Sequence, residues 1–252
     1  REAIVVNGAV VTQFDYLLQP GEKLQRQQPD TGEKLPEVSV LFQDESLCVL
    51  DKPSGLLSVA TETEKSDTAF TRLSALLASR EAGRPFVVHR LDRDTSGLLL
   101  FARSAKVRDL LQASWDAVTK TYLALVEGEP KPANGVVETY LFEGKDLRVR
   151  SSTSPRPEAK LALTRYRTVS VVGRYSLLEV DLETGRKHQI RVHLAGLGCP
   201  IIGDELYGTP INPAGRLGLH AWRLAFAHPV TGVQLNLEAP LPEKLRRLVP
   251  AS

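Results

Sequence analysis

Methionine does not occur anywhere in the 252 residues, cysteine occurs twice, and Phe, Trp and Tyr together make up 6% of the chain. Two cysteines, Cys48 and Cys199, cannot build a disulfide-stapled scaffold. They read as free buried thiols in a reducing compartment, although a single bridge between them also fits the sequence. No run reaches 18 apolar residues, so no transmembrane helix is expected and no membrane partner. The opening Arg1-Glu2-Ala3-Ile4 lacks the pattern of a secretory signal, and a cytoplasmic protein is expected. Translated chains begin with Met, so Arg1 is not expected to be the native start. Neither sign of charge is in excess: 32 Lys and Arg against 30 Asp and Glu give a net charge of +2. Overall charge therefore does not point to nucleic acid, and an anionic partner would have to meet local positive charge. No internal repeat and no low-complexity tract is present.

What the chain does contain is ordinary for a folded protein: 42% hydrophobic and 25% charged residues. A chain of this length can bury roughly three quarters of its unfolded surface without a staple. Two short β-like runs, residues 4–6 and 9–12, flank Asn7-Gly8, a strong hairpin signal. Residues 25–36 are polar, with two prolines, and read as a linker, which sets residues 1–35 apart from a larger domain over 36–252. In that domain, residues 38–42 and 47–50 read as a hairpin around Asp44-Glu45. Ala69, Phe70, Leu73, Leu76 and Leu77 keep helical spacing, with Asp67 or Ser66 as candidate N-cap. Val107, Leu110 and Leu111 mark a second helix. Residues 97–102, 121–126, 136–141, 161–172 and 175–182 read as strands. Residues 187–197 read as a helix capped by Thr184, with Gly196 or Gly198 near its end. Strands outnumber helices and several are joined by short turns. The expected fold class is α+β, with a mixed, mostly antiparallel central sheet flanked by helices.

Two polar clusters stand out. His89-Arg90-Leu91-Asp92-Arg93-Asp94-Thr95-Ser96-Gly97 holds two carboxylates, two guanidiniums, an imidazole and two hydroxyls directly before a buried-type strand. By itself it also reads as an Asp-rich turn with local Arg–Asp pairing. Thr184-Gly185-Arg186-Lys187-His188-Gln189-Ile190-Arg191 opens a helix with cations, which opposes the helix dipole and points to an anionic partner such as phosphate. A solvated basic helix start is the plainer reading. His188 and His193, five residues apart, do not share a helix face, and no acidic pair completes a metal-ligand set, so no metal is expected. Gly196-Leu197-Gly198 lacks the glycine and the preceding strand of a dinucleotide loop.

Together these clusters resemble the RluA-type pseudouridine synthases. His89-Arg90-Leu91-Asp92, followed by Thr95-Ser96-Gly97-Leu98, is similar to that family's signature. Asp51-Lys52-Pro53-Ser54-Gly55-Leu56 resembles its upstream motif, Lys120-Thr121-Tyr122 its tyrosine motif, and Thr184 through His193, with Gly198 and Gly203-Asp204 behind it, its third motif. The likeness runs over residues 38–240. Residues 4–24 resemble the second half of a small RNA-binding module, like that of a ribosomal small-subunit protein, that often precedes this catalytic domain.

The resemblance implies a pseudouridine synthase acting on ribosomal or transfer RNA. It implies Asp92 as catalytic aspartate, either attacking the sugar or first taking a proton from C2′. Breaking an N-glycosidic bond builds positive charge at C1′ that a nearby carboxylate stabilises. It implies Arg191 as the cation that keeps Asp92 ionised. Tyr122 is implied as the residue that stacks on the extruded uracil and helps remove the C5 proton. Arg90 is implied to hold the flipped nucleotide or fill its place. His89, Leu91, Lys52 and Pro53 read as structural supports, and Leu217-Gly218-Leu219-His220-Ala221 as a pocket-lining segment. Gly218 stands there where a larger residue is expected, with looser packing as the consequence. The reaction is an internal rearrangement, so no cofactor is expected, and a monomer is expected. Arg186 and Lys187 are candidate RNA contacts. So are Arg148, Arg150 and Arg156, which lie in a stretch with many basic residues and only Asp146 and Glu158 as acids; within it residues 151–157 read as a mobile loop. The competing readings are a non-enzymatic RNA-binding protein on the same fold, and a carboxylate-dependent hydrolase of glycosides or nucleosides, which needs a second catalytic acid.

Overall fold

The computed structural model describes residues 3–6, 9–11, 21, 24–27, 39–61 and 67–249. The chain divides into two compact units, Arg1–Glu37 and Val38–Ser252. In the first, β1 (Ala3–Val6) pairs antiparallel with both β2 (Ala9–Val11) and β3 (Leu24–Gln27). The Asn7-Gly8 turn lies outside the described residues, as does most of the expected linker. Its first part does not behave as a linker: Gln25, Arg26 and Gln27 belong to β3, because main-chain bonding to β1 needs no apolar side chains.

The second unit is built on an eleven-stranded sheet. Its strands are β4 (Ser39–Gln43), β5 (Leu47–Lys52), β6 (Phe86–Val87), β7 (Ser96–Ala102), β8 (Thr119–Glu127), β9 (Asn134–Glu143), β10 (Val149–Ser152), β11 (Lys160–Val172), β12 (Tyr175–Leu182), β13 (Leu219–Ala227) and β14 (Gln234–Glu238). The order is β10-β9-β11-β12-β8-β13-β7-β5-β4, with β14 added to β13 and β6 to β7. Every pairing is antiparallel except β13 with β7. The mixed, mostly antiparallel α+β fold expected from the sequence is what is observed.

Every residue of β7 is buried. Side chains alternate across a strand, so Leu98, Leu100 and Ala102 pack with Val107 and Leu111 of α2 (Ala105–Ala113) on one face. Leu99 and Phe101 pack with Leu73 and Leu77 of α1 (Ala69–Ser79) on the other. The helix cap of α1 differs from expectation. Thr68 forms the capping box, its hydroxyl accepting the Thr71 N–H at 3.1 Å and the Thr71 hydroxyl accepting the Thr68 N–H at 2.9 Å. Asp67, one residue earlier, instead grips Arg72 at 2.7 and 2.8 Å; Ser66 lies outside the described residues.

The sheet parts in the middle of β7. At its start β7 runs beside β13, and at its end beside β6. The Leu100 N–H, left in the gap, donates to His89 Nε2 at 3.0 Å, and the His89 ring stacks on Trp115 with centroids 4.6 Å apart. Burial first, and then the Lys120 charge, press the His89 pKa down to about 3, so the ring stays a neutral acceptor that completes the ladder.

Gly97 lies at the parallel crossing, with φ +109°, and a Cβ there would sit 2.2 Å from the Ala221 carbonyl oxygen. The obstacle is backbone of the adjoining strand and cannot rotate aside. Gly97→Ala is expected to cost about 2–4 kcal/mol, from the positive φ together with overpacking. Thermal melting should therefore drop by roughly 5–15 °C; a shift within about 2 °C, below one kcal/mol on that scale, would refute the crossing as described.

Candidate active site

The loop 90–95 enters β7 and carries Asp92. Five hydrogen bonds between it and residues 52–58, the end of β5 and the segment behind it, fix it. Lys52 Nζ donates to the carbonyls of Arg93 (2.9 Å), Leu56 (2.6 Å) and Pro53 (3.0 Å). The Gly55 N–H reaches the Arg93 carbonyl at 2.9 Å, and the Ser54 hydroxyl the Asp94 carbonyl at 2.7 Å. Ser58 closes the clamp by donating to the Leu91 carbonyl and accepting its N–H, at 2.7 and 2.9 Å. Lys52 is 1% exposed, and burial lowers its pKa to about 7, opposed by the charges of Asp94 and Asp92. Its three carbonyl partners match the three donors of an ammonium. The motif around Lys52 is thus the brace of the Asp92 loop.

Helix α3 (Gln189–Gly196) brings Arg191. It starts two residues later than the sequence pattern predicts, and Thr184 does not cap it. Gln189, buried at the first position, does the anchoring: its amide donates to Leu163 O and Thr164 Oγ1, both at 2.9 Å, and its Oε1 accepts the Arg186 N–H and the Thr184 hydroxyl at 3.0 and 2.8 Å. His188 precedes the helix in a left-handed conformation, φ +55°, which costs a non-glycine residue about 1–2 kcal/mol. β8 supplies Tyr122, whose backbone pairs with Val180 of β12 and Ala221 of β13.

These three elements meet around a small cavity of about 100 Å³ lined by Arg90, Asp92, Tyr122, Arg186, His188 and Arg191, with Leu182 and Leu219 as apolar wall. It adjoins a wider cleft of about 800 Å³ that Arg90, Asp92, Lys187, His188, Arg191, Arg216 and Lys244 also border. Arg90 is exposed on the rim of both. Arg191 Nη1 lies 3.9 Å and His188 Nε2 4.0 Å from the same oxygen, Oδ2, of Asp92, whose side chain is 32% exposed. Tyr122 is held neutral: burial and the Asp92 charge both push its pKa up. The arrangement places a carboxylate, a fixed cation and a neutral phenol on one apolar-backed pocket, which suits stabilising positive charge at a sugar carbon and moving a proton nearby.

Sequence reasoning gave Asp204 no role, yet it is the principal partner of Arg191. The two pair bidentately, Nε to Oδ2 at 2.8 Å and Nη2 to Oδ1 at 2.7 Å, with Arg191 6% and Asp204 1% exposed. Burial alone would raise the Asp204 pKa, but the Arg191 pair outweighs it and the net shift is downward. Arg191 therefore reaches Asp92 as a cation already clamped from behind. Tyr207 and His188 were also missed. The Tyr207 hydroxyl meets His188 Nδ1 at 2.9 Å and accepts the Val149 N–H at 3.0 Å. The only sequence signal for Asp204 was its place after Gly203 in the third motif.

The basic stretch departs from expectation. Arg148, Arg150 and Arg156 line neither cavity. Residues 151–152 are strand, not loop, because they continue β10 beside β9. Much of the charge is neutralised locally: Arg150 grips Asp146 at 2.8 and 2.7 Å, Arg165 pairs with Glu183, and Arg167 meets Glu179 at 3.0 Å. Arg156 lies over the Phe142 ring at 3.9 Å. On the rim, Lys187 binds Glu143 at 2.6 Å, while Arg186 Nε donates to Leu161 O at 3.1 Å. Gly218 leaves no loose packing either. A Cβ there would come within 2.7 Å of the Ile202 side chain and 2.9 Å of the Leu125 carbonyl, so the space is already filled. Among the described residues no group of three His, Cys, Asp or Glu side chains is placed to hold a metal.

Comparison with known proteins adds an independent line. Residues 46–196 match the family described as RNA pseudouridylate synthase. The chain is 34% identical to the uncharacterized RNA pseudouridine synthase YlyB of Bacillus subtilis, over 98% of this chain and 84% of that protein. It is 37% identical to ribosomal large subunit pseudouridine synthase D of Xanthomonas campestris, over 85% and 69%. Among solved structures, human RNA pseudouridylate synthase domain containing 4 matches with a TM-score of 0.69 at 28% identity, over 83% of this chain and 92% of that one.

Proposed function

The chain belongs to the RNA pseudouridylate synthase family and isomerises uridine in RNA, and from that premise we propose that Asp92 is the carboxylate that carries the reaction, on a structured ribosomal or transfer RNA. The observation that supports this reading is the meeting of Asp92, Arg191 and Tyr122, from three separate elements, at one cavity. As the N-glycosidic bond breaks, positive charge grows at C1′, and an ionised Asp92 lowers its energy. Arg191, itself fixed by Asp204, sets a cation 3.9 Å from that carboxylate. Tyr122 bears on the uracil ring and assists loss of the C5 proton once the carbon–carbon bond has formed. Arg90, exposed on the rim, holds the extruded nucleotide, and Arg186 and Lys187 contact its backbone. Two relatives bear the name ribosomal large subunit pseudouridine synthase D, which favours large-subunit ribosomal RNA over transfer RNA. The free buried thiols of Cys48 and Cys199 support a reducing, cytoplasmic setting.

Transcripts labelled with tritium at uracil C5 test the reading directly. The expected result is tritium release to water with no free uracil, on large-subunit ribosomal RNA and not on an unstructured transcript. Release of free uracil would instead identify a glycoside hydrolase.

A further inference from the structure

We propose that His188 is a positioning residue for Asp92, an inference that rests on Asp92 carrying the reaction. The Tyr207 hydroxyl oxygen accepts the Val149 N–H, and we assign its own proton to His188 Nδ1, 2.9 Å away. That bond fixes the neutral tautomer with its proton on Nε2, and Nε2 faces Asp92 Oδ2 at 4.0 Å. Arg191 Nη1 faces the same oxygen at 3.9 Å. Two donors on one side of the carboxylate leave Oδ1 to meet the ribose. The ring is held from several directions at once. Tyr207 packs edge-on against it, with centroids 5.6 Å apart, and the Arg191 guanidinium lies 5.3 Å from the Tyr207 ring. The left-handed backbone at His188 aims the side chain at the loop bearing Asp92 and persists only because these contacts over-determine it. Tyr207 thus couples both groups that face Asp92, while touching neither cavity itself.

A pair of substitutions separates this role from a structural one. Asn tolerates the left-handed conformation best among side-chain-bearing residues, and its amide reaches the place of Nδ1 but not of Nε2. Gln places an amide nitrogen where Nε2 stands. With the full chain and tritium-labelled RNA, His188→Asn should lower kcat by about 10–100-fold with KM within about twofold, the scale of a misplaced reacting group. His188→Gln should recover a large part of that loss. Tyr207→Phe, which frees the ring without touching the His188 backbone, should lower kcat by about fivefold to tenfold through the same misplacement. Full activity of His188→Asn, equal losses in the Asn and Gln variants, or a loss confined to KM would each overturn the proposal. Active wild type with an inert Asp92→Asn would stand in any of those cases, so failure of His188 is distinguishable from failure of Asp92.

Discussion

Asp92→Asn should release tritium from C5-labelled uridine at least about three to four orders of magnitude more slowly than the parent chain, the scale seen when an essential carboxylate becomes an amide. The substitution keeps shape and removes charge. An amide cannot stabilise cationic character at C1′, so the barrier rises while the pocket remains. Stability should barely change. The Arg191 cation stands 3.9 Å and the His188 ring 4.0 Å from the carboxylate, a third of its side chain is open to water, and Arg191 retains its bond to Asp204. A partly exposed contact of that kind is worth about 1 kcal/mol or less. Thermal melting should shift by no more than a few degrees. Binding of the RNA, followed by filter retention, should persist, because the phosphate contacts proposed above fall to Arg186 and Lys187 and not to Asp92. An amide variant that keeps a tenth of the parent rate would remove Asp92 from the reaction.

Asp204→Ala should be the most damaging single change to stability near the site. Oδ1 accepts from Arg191 Nη2 and from the N–H groups of Leu206 and Tyr207, at 2.7, 3.0 and 3.1 Å, while Oδ2 accepts Arg191 Nε at 2.8 Å. Alanine leaves a buried guanidinium without its partner and two backbone donors unmet. Breaking one side of such a pair costs about 3–5 kcal/mol. For a chain of this size that is a fall in melting temperature of roughly 6–20 °C. Below that melt, kcat should also drop, because Arg191 is released to turn away from Asp92 or to close on it. The double variant Asp204→Leu with Arg191→Met should regain part of the stability and none of the activity, since a buried ion pair replaced by packed apolar groups need not cost stability. The pH dependence follows from the downward shift at Asp204. Its contribution is complete above the ordinary carboxylate range and is lost only as the pH falls through the lower folded-state value. A melting shift of Asp204→Ala below about 3 °C, or one kcal/mol, would show that the pair does not anchor Arg191.

The local sequence carried the parts of this molecule that obey short-range rules. An unbroken apolar run in residues 97–102 marked β7, because a strand buried on both faces needs apolar side chains throughout, and helical spacing marked α1 and α2, which bury one stripe each. The density of polar groups in residues 89–97 and 184–191 marked the two halves of the site. Caps and boundaries were less legible. Thr68 rather than Asp67 caps α1, and Gln189 rather than Thr184 anchors α3, since each choice depends on where a side chain turns in space. Charge was least legible of all. The basic count over residues 145–167 hid cross-strand partners: Glu179 in β12 and Glu183 just past its end, which the sheet alone lays beside β11.

What the sequence determined by itself, then, was the chemistry on offer: a carboxylate, an arginine and a tyrosine in motifs that resemble one family, in a chain with no Met, two thiols and almost no net charge. The tertiary structure decided how those groups are held. The Arg191–Asp204 clamp, the Tyr207–His188 link and the close approach of Gly97 to Ala221 all join residues brought together only by folding. Such contacts leave no periodicity in the chain, because their geometry is set by the packing of separate elements and not by the spacing of neighbours along one of them.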